Sequence, residues 1–145
     1  MCAANHDEII TDLAFIQAFP EALRHRVVTI IRDVSQPQDI KQGTVLLIKG
    51  DTTSNDGFIL LEGTVEVLRE DIPTTTVHPP ALLGEVKQFN PLHERIADVT
   101  ALRDVKVLHF NWEDFNAAAE EGLSESDLTL FRNALSEYAW QHIVG

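Results

Sequence analysis

Glu85 and Arg95 stand ten positions apart in ALLGEVKQFNPLHERIADV, residues 81–99, on either side of an irregular polar stretch. A carboxylate accepts hydrogen bonds from hydroxyl groups, and a guanidinium presents a planar fork to two anionic oxygens. If both converge on one ligand, that ligand offers hydroxyls and an anion together, as a sugar phosphate does. The simpler alternative is a salt bridge, or two solvated charges at the ends of a loop.

No competing chemistry has its pattern in the chain. His6, His25, His78, His93, His109 and His142 are scattered singly, without the H-x-H, H-x-x-H or H-E-x-x-H spacing that would set two imidazoles on one metal. No serine stands in G-x-S-x-G, and Cys2 has no evident base beside it. Neither G-x-x-x-x-G-K-[ST] nor G-x-G-x-x-G occurs, so ordinary nucleoside triphosphate or dinucleotide binding lacks its mark. The expectation is a binding protein with no metal, no cofactor and no enzyme activity.

Composition narrows the partners. The chain has 145 residues, 44% of them hydrophobic and 23% charged, which predicts a single folded domain over residues 1–145. Its net charge of -12 repels phosphate backbones, so direct nucleic acid binding is disfavoured. Cys2 is the sole cysteine, and MCAANHDEII is acidic where a secretory signal is basic and then apolar. A cytoplasmic location is expected. The longest apolar runs, VLLI (45–48) and FILL (58–61), have strand length and cannot span a bilayer.

The elements that must position Glu85 and Arg95 come in three blocks. Over about 7–34 the residues Ile10, Leu13, Ile16, Leu23, Val27, Ile30 and Ile31 recur at helical spacing, interrupted at Phe19-Pro20; this predicts two short helices. Over about 39–110 the runs TVLLI, FILLEGTVEVL, IADVTAL and VKVLHF predict antiparallel strands closing into a sandwich or barrel. Gly43, Gly50 and Gly63 sit where such a chain reverses, and DIPTTTVHPP (71–80) reads as a connecting loop. Over about 112–143 WEDFNAAAEEG forms a helix ending at Gly122, and Ser124 or Ser126 caps a last one. Leu128, Phe131, Leu135 and Tyr138 share a face of that helix, while Trp140 lies off it.

In this order the segments resemble the cyclic nucleotide-binding domain. GTVLLIKGD is similar to the family's G-x-x-L/I-x-x-x-G-D, and FILLEGTVEVL to Y-x-I-x-x-G-x-V-x-V. LLGE and RIADVTA match F-G-E and R-x-A-x-V-x-A. The resemblance covers nearly the whole chain. It implies a mainly β fold, an antiparallel jelly-roll barrel of eight strands with helices at both ends.

The same resemblance implies a ligand site at Gly84, Glu85, Val86, Lys87, Arg95, Ile96 and Ala97. Glu85 would accept the ribose 2′-hydroxyl, Gly84 would let the backbone approach the sugar, and Arg95 would hold the cyclic phosphate. Trp140, ahead of Tyr138 and His142, would close over the base from the last helix. Ile96 follows Arg95 where cGMP-preferring relatives often place a hydroxyl, which favours cAMP. Lys87 replaces a small residue, adding a second cation or obstructing the pocket, and Leu83 replaces the usual Phe before Gly-Glu.

Two functions follow. One is a stand-alone cyclic nucleotide sensor, without a DNA-binding domain, that acts through movement of its C-terminal helix on a protein partner; a homodimer through that helix is also expected. The alternative is a ligand-free module that keeps the fold and binds a protein or itself, on the strength of Lys87, Ile96 and Leu83.

Overall fold

A computed structural model describes residues 6–51, 53, 55–69, 73–84 and 97–144, with the backbone alone for 6, 7 and 140–144. The first block forms three helices rather than two: α1 (His6–Thr11), α2 (Ala14–Gln17) and α3 (Glu21–Val34). The extra break is at Leu13, whose extended torsions (φ -58, ψ 137) let it bury its side chain while the chain turns. Pro20 stands just before α3 as its N-cap. Arg24 of α3 then donates through its guanidinium to the carbonyls of Phe19 at 2.9 Å and Gln17 at 3.0 Å, satisfying the open end of α2.

Eight strands follow: β1 (Gln36–Ile40), β2 (Val45–Leu47), β3 (Asp56–Glu62), β4 (Val65–Leu68), β5 (Thr75–Val77), β6 (Ala81–Leu83), β7 (Asp98–Ala101) and β8 (Val105–Asn111). They make two antiparallel four-stranded sheets, β1-β8-β3-β6 and β2-β7-β4-β5. Among the described residues no ladder joins the two, so the expected barrel is a pair of facing sheets. Three strands lie outside the runs read from the sequence: β1, β5 and the three-residue β6. β1 starts at Gln36 because an edge strand open to solvent tolerates Pro37 and polar residues. β5 lies inside DIPTTTVHPP, where Thr75, Thr76 and Val77 pair with Val67, Glu66 and Val65 of β4.

β3, β6 and β8 of the first sheet are buried on both faces. Alternate residues of β3 point opposite ways: Phe58 and Leu60 join the cluster between the sheets, Ile59 and Leu61 the cluster beneath the helices. β8 divides likewise, with Val105 and Val107 inward and Leu108 and Phe110 toward the helices. Gly57 stands opposite Phe110, where a Cβ would lie 2.5 Å from the Phe110 ring. The ring takes the place a side chain would fill.

Two C-terminal helices complete the helical layer: α4 (Trp112–Gly122) and α5 (Glu125–Val144). Asn111 caps α4, its Oδ1 accepting from Glu113 N–H at 2.8 Å. Of the two serines offered by the sequence, Ser124 caps α5, accepting from Asp127 N–H at 3.2 Å. Phe131 and Leu135 of α5 are buried and Leu128 and Tyr138 pack beside them, as the stripe predicts. Tilted and edge-on ring contacts run from Tyr138 to Phe15, from Phe19 to Phe131, and from Phe131 to Phe115. At about 0.5 to 1.5 kcal/mol each beyond area burial, such pairs make α5 part of the N-terminal helical layer. No helix among the described residues is long and apolar enough to cross a membrane.

Candidate functional site

The two flanks of the 81–99 stretch lie on different sheets. β6 is the edge of the first sheet and ends at Leu83. Gly84 follows with φ +93, a torsion that a side chain disfavours, so the glycine here has a backbone reason. On the far side Ala97 is buried and leads into β7, an inner strand of the second sheet between β2 and β4. The segment bearing the carboxylate and the guanidinium therefore passes from one sheet to the other. Glu85, Val86, Lys87, Arg95 and Ile96 themselves lie outside the described residues, as does the side chain of Trp140. Of the expected site residues, the structure places Gly84 and Ala97.

The core between the sheets is hydrocarbon: Phe58, Leu60, Ala81 and Leu83 pack with Val65, Val99 and Ala101. Among the described residues Thr64 is the sole buried polar side chain. Beside Ala97, Asp98 Oδ1 accepts the Lys49 N–H at 2.7 Å and ties the start of β7 to the end of β2. That bond fixes one flank.

The other flank has polar neighbours that the sequence reading missed. His109 stands opposite Phe58 in the ladder, on the inward parity of Val105 and Val107. Its ring stacks on Phe58 at 4.9 Å and 17°, and its Nε2 lies 2.8 Å from Asp56 Oδ1. The alternation in VKVLHF carried this signal, since it puts His109 on the same face as the two valines. Tyr138, considered above as a cover for the base, has its hydroxyl against β6, accepting the Leu82 N–H at 3.3 Å. Its ring meets Phe15 at 5.9 Å. Among the described residues no group of three metal-ligating side chains occurs.

The family model of the cyclic nucleotide-binding domain matches residues 37–121, more than half of the chain and both flanks of the crossing. No curated protein sequence matches. Among solved structures, a Geobacter metallireducens protein assigned as cyclic nucleotide-binding is 18% identical, covering 94% of this chain and 95% of its own at a TM-score of 0.65. The N-terminal domain of a transcriptional regulator from Streptomyces coelicolor is 20% identical, with 94% and 92% covered and a TM-score of 0.69. The regulatory subunit of a cAMP-independent protein kinase A from Trypanosoma brucei is 18% identical at 0.69, with 94% of this chain matched to 45% of that one. At such identities the likeness shows the fold.

Proposed function

This chain belongs to the cyclic nucleotide-binding domain family, a ligand-binding regulatory fold, and from that premise we propose that it is a cyclic nucleotide sensor rather than an enzyme. The observation that carries the proposal is the match over residues 37–121, which includes both flanks of the stretch, Gly84 after β6 and Ala97 before β7. Glu85 accepts the ribose 2′-hydroxyl, Arg95 forks onto the cyclic phosphate, and Gly84 keeps the backbone close to the sugar. Val86, Lys87, Ile96 and Ala97 line the same place, and Trp140 covers the base. Ile96 offers no hydroxyl to a guanine, which favours cAMP over cGMP.

The output is α5 acting on a protein partner. A nucleotide moves this helix only by preferring one of its positions, because equal affinity for both shifts nothing. The Trypanosoma brucei relative is described as cAMP-independent, so the identity of the nucleotide needs its own measurement. Equilibrium binding of a fluorescent cyclic nucleotide, competed with cAMP, cGMP and 5′-AMP, supplies it. Competition by cAMP ahead of cGMP, with 5′-AMP inert, is expected; no saturable binding at millimolar nucleotide would leave the ligand-free module as the surviving function.

A further inference from the structure

We infer that Tyr138 is a positioning residue for the proposed nucleotide site, holding through its hydroxyl the strand that delivers Gly84. The inference rests on that site, and it goes beyond it by naming the atom through which α5 touches the site's flank. Leu82 lies two residues before Gly84 on β6, an edge strand paired on one side with β3. In an antiparallel ladder, backbone N–H groups point alternately toward the partner strand and away from it. The Leu82 N–H takes a hydroxyl 56 positions further on, so it points away from β3.

That outward N–H needs a partner. The Leu82 side chain is buried in the cluster beneath the helices, and water does not reach the amide freely. An edge amide closed off in this way costs free energy unless an acceptor meets it. Tyr138, the sole tyrosine of the chain, supplies the acceptor. Its ring is set by Phe15 of α2, and Phe131, Leu135 and Ala139 on the same helix are buried. A slide of α5 by one turn, about 5.4 Å, breaks the bond and leaves the amide facing hydrocarbon. The position of α5 and the placement of β6 are thereby linked, and linkage acts equally in both directions.

Tyr138→Phe keeps the ring and removes the acceptor. On the full chain without nucleotide, amide exchange at Leu82 is expected to quicken roughly fivefold, the equivalent of one ordinary hydrogen bond. The dissociation constant for the fluorescent cyclic nucleotide is expected to rise by a similar factor. Phe115→Leu loosens the same helical layer away from the Tyr138–Phe15 contact, and it should leave that constant unchanged. Unaltered Leu82 exchange in Tyr138→Phe overturns the inference, as does equal weakening by both variants, which would signal general loosening of the layer. If the intact protein binds no nucleotide, the site itself falls, and the exchange experiment alone then decides whether Tyr138 holds β6.

Discussion

Phe58 on β3 and Leu83 on β6 stand opposite each other in the ladder, both turned into the space between the sheets. Leu83 is where the resemblance leads one to expect a phenylalanine before Gly-Glu. Phe58 is stacked on His109, so it cannot yield sideways to a second ring. Leu83→Phe should therefore overpack the site and cost about 1 to 3 kcal/mol in denaturant unfolding. Adding Phe58→Leu should restore at least half of the loss, with the pair coupled as contacting residues are. A neutral single variant, or a double variant no better than the single, would show that the two positions do not compensate.

Gly84 carries a second prediction. Its φ of +93 lies where an L side chain is strained, at a cost on the order of 1 to 3 kcal/mol. Gly84→Ala should lower the unfolding midpoint and weaken nucleotide binding, because relief of the strain rotates the backbone just ahead of Glu85. Unfolding and binding that both match the parent would mean the torsion is not needed at either level.

Asn111 tests the junction between sheet and helix. Its side-chain oxygen accepts from the N–H groups of Glu113 and Asp114 at 2.8 and 3.4 Å, and the residue ends β8. Asn111→Ala should cost about 0.5 to 2 kcal/mol, whereas Asn111→Asp, which keeps the acceptor, should be near neutral. Thermal unfolding of the pair distinguishes a cap from a bystander. Equal midpoints for the alanine and parent proteins would remove the cap from the account.

The sequence made the strands legible where apolar runs were strong. FILLEGTVEVL and VKVLHF became β3, β4 and β8, because a short apolar run bounded by turn residues marks a strand, continuous where both faces are buried as in β3. β1 and β5 were hidden, since QPQDI and TTV lie at sheet edges and bury little. The break at Leu13 was hidden for another reason. An apolar residue at helical spacing looks the same whether its backbone is helical or extended, and the torsion there answers to packing rather than propensity. Near the candidate site, the Tyr138 hydroxyl on Leu82 joins positions too distant for any local pattern to pair.

In the proposed site Arg95 would hold an anionic ring and Glu85 its hydroxyl. Two charge-assisted hydrogen bonds at roughly 1.5 to 3 kcal/mol each imply a loss of two or more orders of magnitude in affinity when the guanidinium is removed. Calorimetric titration with cAMP, run in parallel on the parent, Glu85→Ala, Arg95→Lys and Arg95→Ala proteins, measures this directly. Saturable heat is expected from the parent, a clear weakening in Arg95→Lys through loss of the planar fork, and no resolvable heat in either alanine variant. Parent and Arg95→Ala proteins that bind cAMP with equal affinity would contradict the proposed site.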